Sequence, residues 1–217
     1  ADHLIGELKK MGARPLPGQA DFRLPFSFTA GVKDGGTTLT VGAASYAGTA
    51  DVQALSFSDN GEISGDVVFA GYGLVVPESQ NFGYDSYATL DVKDKVVVVF
   101  HYFPEDADQK TRQILSRYSD PRYKAMQARQ RGAKALLVVT GPRSPNAGQT
   151  IPMRFDTALA GSGIVAASVS ETVARSLFAG VKDQSLEDIQ KSFDSGNPHT
   201  AGFALPGVTV AVKTAVV

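Results

Sequence analysis

The segment from Gly83 to Phe100 constrains the fold most, because it ends in an unbroken apolar run, VVVVF, at residues 96–100. Such a run is too short to span a bilayer, and its consecutive β-branched valines disfavour a helix. A continuous apolar run of this length is typical of a strand that is buried on both faces. We therefore predict a central strand here, entered through the polar turn from Asp91 to Lys95.

A second apolar run follows at the spacing of a strand–helix–strand unit. Asp120 and Pro121 form a strong helix start, a capping residue followed by proline in the first turn, and Gly132 ends the helix. The next strand is predicted from Ala135 to Thr140. Two strands joined in this way lie parallel and adjacent, so the sequence predicts a βαβ unit at the core.

The remaining segments predict a β-rich chain. The 22 glycines and 11 prolines among 217 residues favour many turns over a helix bundle. The predicted strands cover 22–28, 37–41, 52–57, 62–70, 164–169 and 208–216, and further helices cover 2–12, 170–180 and a segment starting at Ser185. The turn Asp59-Asn60-Gly61 predicts a hairpin between the strands at 52–57 and 62–70.

These elements predict an α/β fold, rich in β-structure. It is an open-barrel-like mixed sheet with a βαβ core and flanking helices outside. A flavodoxin-like layered sheet is the second choice, because it needs helices between most strands and residues 22–76 offer none.

Composition and charge limit the function. Lysine and arginine total 21 against 22 aspartates and glutamates, so no global charge favours nucleic acid or an anionic membrane. The absence of cysteine removes disulfides, thiolate zinc sites and cysteine nucleophiles. We therefore expect neither a nucleic-acid nor a membrane partner.

One local charge concentration, the basic stripe, lies between residues 110 and 134. It has one acidic residue, Asp120. A solvated helix face is preferred over a site for an acidic partner. The stripe comprises Lys110, Arg112, Arg117, Arg122, Lys124, Arg129, Arg131 and Lys134.

The loop after the central strand has two interpretations, a metal site and a solvated acidic loop. His101 is followed by Glu105, Asp106 and Asp108, which could bind a hard or borderline cation, although a solvated acidic loop is the simpler interpretation. Neither a Gly-x-Ser-x-Gly elbow nor a His-Glu-x-x-His motif occurs. A self-contained metal-binding hydrolase that uses His101 and these acidic residues is therefore the alternative function.

Two runs together resemble the protease-associated domain, in the version inserted in bacterial zinc aminopeptidases of the family that includes glutamate carboxypeptidase and the transferrin receptor. They are VFAGYGL at 68–74 and YDSYATLDVKDKVVVV at 84–99. Residues 123–139 are similar to that domain's helix and following strand, and residues 165–193 to its closing part. The resemblance covers residues 22–217.

The resemblance implies a domain division. Residues 21–217 would form the protease-associated domain, and residues 1–20 a helix and linker resembling the edge of a missing peptidase domain. The first helix carries an apolar stripe that needs a partner, either the peptidase domain of the same polypeptide or a second copy in a dimer formed through this helix. The stripe comprises Leu4, Ile5, Leu8 and Met11.

The resemblance also implies the function. The chain would be a non-catalytic module of a secreted zinc-dependent aminopeptidase, which shapes or covers the substrate cleft or binds peptide or protein. Zinc and the catalytic residues would lie in the peptidase domain, so we expect neither catalytic residues, metal ligands nor cofactors in this chain. The expected location is extracellular, periplasmic or in the cell envelope.

Four residues on the predicted rim loops are the expected substrate or partner contacts. Tyr84 and Tyr87 would provide a large contact area at low entropic cost. Arg143 and Arg154 would pair with a substrate carboxylate.

Overall fold

The computed structural model describes residues 1–26, 31–154 and 161–217. The chain divides into two compact units, Ala1–Ala30 and Gly31–Val217. None of the described helices is both long enough and apolar enough to cross a membrane.

The first unit contains helix α1 (Asp2–Lys10), which is bordered by charges that favour its dipole. No residue of α1 is buried, and Leu4 and Met11 are 67% and 73% exposed. The strand predicted at 22–28 is not present at 22–26, where Pro25 lacks the N–H that a sheet ladder requires. Its last two residues lie outside the described part, and a domain boundary at residue 20 stays a prediction.

The second unit is built on one eight-stranded mixed sheet, nearly closed into a barrel, with the strand order β2-β1-β8-β4-β5-β6-β7-β3. The neighbours from β4 to β7 are parallel and the other pairs are antiparallel. The strands are β1 (Thr38–Val41), β2 (Ala44–Ala47), β3 (Val52–Ala54), β4 (Gly61–Phe69), β5 (Val96–Phe100), β6 (Ala135–Val139), β7 (Val165–Val169) and β8 (Phe203–Thr214). The helices are α2 (Gln109–Ser116), α3 (Pro121–Gln130), α4 (Glu171–Leu177) and α5 (Leu186–Asp194). The predicted fold class is confirmed.

The central βαβ unit is confirmed in register. β5 and β6 pair in parallel from Val96 opposite Ala135 to Phe100 opposite Val139, and every residue of both strands is buried. Helix α3 begins where predicted, since the Asp120 carboxylate accepts hydrogen bonds from the first turn.

Each face of β5 packs into its own apolar cluster, because successive side chains of a strand point to opposite faces. Val96, Val98 and Phe100 belong to the larger cluster, which also holds the buried faces of α4 and α5. Val97 and Val99 belong to the smaller cluster, which α3 covers. The burial of the central strand on both faces follows from these two layers.

The predicted hairpin around Asp59-Asn60-Gly61 is wrong. β3 pairs with β7, whereas β4 pairs with β5 and β8, so the two strands are not neighbours. The side chains of the turn bond to distant segments instead. The Asn60 amide exchanges two hydrogen bonds with the backbone of Val216, and Asp59 accepts one from the backbone of Gly163. A local turn signal does not fix the partner of the strand that follows it.

Candidate functional site

A cavity of about 790 Å³ lies beside the carboxyl ends of β5 and β6. His101 and Thr140 line it from the ends of these two strands, and Asp120 from the start of α3. The loop at 146–154 and the segment at 55–57 after β3 complete the wall. Ligands of sheets with parallel strands bind preferentially at this edge, which makes the cavity the candidate site.

The wall at the end of β5 is a stacked pair of rings. The His101 and Tyr102 ring centroids are 3.8 Å apart, and Tyr102 has a positive φ of 60°. Asn146 donates a hydrogen bond of 3.2 Å to the Tyr102 hydroxyl. Burial, reinforced by the charge of Lys124, lowers the pKa of His101 to about 4, so the imidazole is neutral at pH 7.

Lys124 supports this wall from the interior of the protein. Its side chain is fully buried on α3, and Nζ donates to the carbonyl oxygens of Phe100 at 2.8 Å and Tyr102 at 2.6 Å. Burial lowers its pKa well below the ordinary value. Because the two acceptors flank His101, the lysine fixes the left-handed turn that carries both cavity rings.

The described part of the cavity wall carries two arginines, Arg122 and Arg154, and one acidic residue, Asp120. Arg122 lies with its guanidinium 5.4 Å from the ring centroid of Phe57, and Arg154 is exposed at the end of the 146–154 loop. Within the part of the chain that the structure describes, no hydrogen bond or ion pair engages Arg154. Asp120, the carboxylate among the described lining residues, already accepts hydrogen bonds from the α3 backbone.

The two predicted contact tyrosines are packed into the protein. Tyr84 and Tyr87 are each 5% exposed. Burial raises the pKa of Tyr84 to about 12 and that of Tyr87 further above its ordinary value. The Arg131 guanidinium lies 4.9 Å from the Tyr87 ring centroid. Neither tyrosine lines the cavity.

The two predicted contact arginines are separated. Arg143 donates from Nε to the fully buried Asp194 at 2.5 Å and from its terminal nitrogen to Asp106 at 2.6 Å. Asp194 also accepts a 2.5 Å hydrogen bond from the Tyr72 hydroxyl, so Arg143 belongs to an internal network. Arg154 lines the cavity. A binding role for any of the four predicted residues stays a prediction.

The acidic residues after His101 do not converge on it. Asp108 caps α2 through the backbone of Lys110 and Thr111, Asp106 pairs with Arg143, and Glu105 lies 3.8 Å from Arg112. Across residues 1–26, 31–154 and 161–217, no group of three or more histidine, cysteine or acidic side chains is placed to hold a metal ion. The described structure therefore does not bring His101 and the three acidic residues together in the way that the alternative metal-binding hydrolase requires.

Several members of the basic stripe serve the fold. Lys124 is buried, and Arg129 donates to the carbonyl of Ser162 at 2.8 Å. Arg131 pairs with Asp85 at 3.0 Å. These side chains face different neighbours and do not form one continuous basic surface.

Sequence reasoning noticed His101 but missed the cavity. The available signal was positional: His101 and Thr140 directly follow two strands that were correctly predicted to be parallel. Parallel strands present their carboxyl ends at one edge, which brings these residues together.

Comparisons with known proteins found similar solved structures but no matching sequence. No family model and no curated protein matches this sequence. The structure is similar to an aminopeptidase from Aneurinibacillus sp. strain AM-1, with a TM-score of 0.51 and 15% identity over 86% of this chain and 32% of that chain. It is also similar to BSAP, a zinc aminopeptidase from Bacillus subtilis, with a TM-score of 0.47 and 16% identity over 87% of this chain and 32% of that one.

The first of these likenesses shows a shared fold. The chain spans about a third of the length of each of these aminopeptidases. A fold that occupies only part of an aminopeptidase chain is consistent with a protease-associated-like domain.

Proposed function

We propose that this chain is a non-catalytic accessory module of a zinc-dependent aminopeptidase, which shapes or covers the substrate cleft and contacts peptide. One observation carries the proposal: 86% of this chain matches only 32% of the Aneurinibacillus aminopeptidase. Most of that enzyme therefore lies outside the shared fold. The sequence resemblance to the protease-associated domain supports the same conclusion.

In this proposal the zinc ion and the catalytic residues belong to a peptidase domain of the same polypeptide. The chain contributes a concave surface whose wall combines guanidinium, amide and hydroxyl groups with apolar side chains such as Phe57 and Ile151. Peptide and small-molecule sites have this mixture of apolar area and a few placed polar groups.

The exposed stripe of α1 is the proposed contact with the peptidase domain. Leu4 and Met11 are more than half exposed, and an apolar face of this kind marks an interaction surface. In the isolated chain a second copy would cover the stripe and give a dimer. A secreted peptidase places the module outside the cell, in the periplasm or in the cell envelope.

The proposal is tested by incubating the chain with a mixture of short unstructured peptides and zinc. Saturation-transfer difference NMR should show magnetisation passing from the protein to the peptides, and mass spectrometry should show every peptide intact. Cleavage of the peptides contradicts the proposal, and so does the absence of transfer to any of them.

A further inference from the structure

We propose that the cavity beside the carboxyl ends of β5 and β6 binds a carboxylate group of a peptide and that Arg154 is the residue that pairs with it. The inference rests on the proposed function and names the chemical class of peptide that the module selects.

Arg154 is the cation that the described wall offers to an anion. Among the described lining residues, Arg154 supplies a guanidinium group and Asp120 a carboxylate, whereas the guanidinium group of Arg122 is engaged in an interaction of its own. That carboxylate accepts hydrogen bonds from the backbone N–H groups of Arg122 and Tyr123, which partly offset its charge. A guanidinium group on a concave wall concentrates its field on a bound group more than it would on a convex surface.

Arg154 differs from the arginines that serve the fold. Arg143 is held by Asp194 and Asp106, and Arg131 by Asp85. In the described chain Arg154 makes neither a hydrogen bond nor an ion pair, yet it lies on the cavity wall. Its planar fork of donors fits a carboxylate with two parallel hydrogen bonds, which a lysine would not reproduce.

The rest of the wall is ordered before any ligand arrives. Lys124 fixes the backbone on either side of His101, and Asn146 donates to the Tyr102 hydroxyl. The neutral imidazole of His101 neither adds to the positive charge nor competes for the anion. A preformed wall lowers the entropic cost of binding.

The size of the cavity fits a peptide better than a free small anion. A volume of about 790 Å³ falls within the range of sites that enclose drug-sized molecules. Phe57 and Ile151 provide apolar surface for the neighbouring side chains of such a ligand. The carboxylate could come from a peptide C-terminus or from an acidic side chain, which present the same chemistry to Arg154.

Isothermal titration calorimetry with two matched pairs of peptides tests the inference. The first pair is acetyl-Ala-Ala-Phe with a free C-terminus and its C-terminal amide. The second pair is acetyl-Ala-Glu-Ala-amide and acetyl-Ala-Gln-Ala-amide. We expect the charged member of at least one pair to bind about 10-fold more tightly than its neutral partner, the size of a charge-assisted hydrogen bond. A preference in the first pair assigns a C-terminal carboxylate, and one in the second pair assigns an acidic side chain.

Two variants locate the effect. Arg154→Gln should abolish the preference while leaving the melting temperature unchanged, because the side chain is exposed and has no partner in the described chain. Arg117→Gln, which removes another exposed arginine that does not line the cavity, should retain it. Arg154→Lys should retain part of the preference, because it keeps the charge but loses the fork.

Equal affinity for charged and neutral peptides in both pairs overturns the inference but leaves the proposed function standing, since peptides still bind. A preference that survives in Arg154→Gln also overturns it. The absence of binding by all four peptides overturns the inference and counts against the proposed function. Cleavage of the peptides is a separate outcome that contradicts only the proposed function.

Discussion

The side-chain nitrogen of Lys124 donates a hydrogen bond of 2.8 Å to the carbonyl oxygen of Phe100, the last residue of the central strand. This bond links α3 to the carboxyl end of β5, the strand whose Val97 and Val99 belong to the cluster that α3 covers. A second bond, to the carbonyl of Tyr102, extends the support to the cavity wall. One buried side chain therefore links the most apolar part of the sequence to the candidate site.

Replacing Lys124 by methionine should lower the free energy of unfolding by about 2 kcal/mol, because two carbonyl oxygens at the strand end lose their donor. Urea denaturation followed by circular dichroism measures this change. The exposed Lys110→Met should shift the free energy by less than about 0.5 kcal/mol. A Lys124→Met variant as stable as the wild type would show that these bonds contribute nothing.

His101 should make stability depend on pH between about 4 and 6.5. In the unfolded chain the imidazole binds a proton below about 6.5, whereas burial lowers the folded pKa to about 4. Between these values the unfolded state holds more protons, so the free energy of unfolding decreases as the pH falls, by up to about 3 kcal/mol in total.

The pH effect is isolated by comparing variants in urea denaturation at several pH values. His101→Phe should lose less stability than the wild type between pH 6.5 and 4. His199→Phe, which changes an exposed histidine, should retain the wild-type decline. Identical declines in the wild type and in His101→Phe would contradict the prediction.

Asp194 and Asp106 offer a matched test of the internal network, because both accept hydrogen bonds from Arg143. Asp194 is fully buried and also accepts from Tyr72, so Asp194→Asn should cost about 3 kcal/mol of unfolding free energy. The Asp106 side chain is 54% exposed, so Asp106→Asn should cost less than about 1 kcal/mol. Equal losses in the two variants would refute this division between buried and exposed partners.

Gly71 and Gly42 have nearly the same left-handed backbone, with φ values of 54° and 56°, but different surroundings. A Cβ atom at Gly71 would lie 2.5 Å from Cδ1 of Phe193, whereas a Cβ atom at Gly42 would meet nothing within 4 Å. Gly42→Ala should cost about 1 kcal/mol from the backbone alone, and Gly71→Ala about 3 kcal/mol, because the ring of Phe193 must also move. Thermal denaturation of both variants measures this difference in stability. Equal losses would show that the ring of Phe193 moves aside without cost.

Local signals predicted most of the second unit correctly. The valine run at 96–100, the capping Asp120 and the apolar run that becomes β6 each have a strong local cause, and all three are found in the structure. Strand pairing was predicted correctly only between β5 and β6, where a helix enforces a parallel crossover. The hairpin at Asp59-Asn60-Gly61 failed because side chains of the turn bond to distant backbone instead of closing the turn on itself.

The candidate site was harder to predict from the sequence. Its composition depends on which of the polar and aromatic residues become buried on folding, and local sequence does not show this. Tyr84 and Tyr87 looked like contact residues in a polar loop, yet both are packed inside. Lys124 looked like one of several surface cations, and its burial follows from two backbone acceptors that only the folded chain brings together. Arg154 is the predicted residue that lines the cavity, whereas Arg143 is engaged by Asp194.

The central claim is that this chain contacts peptide without cleaving it. The rate at which residues 1–217 release p-nitroaniline from leucine p-nitroanilide in the presence of zinc tests this claim most directly. We predict the same rate as in the zinc-containing buffer alone, for the wild type and for His101→Phe. A zinc-dependent rate in the wild type would contradict the claim, and its loss in His101→Phe would identify the chain as a metal-dependent hydrolase in its own right.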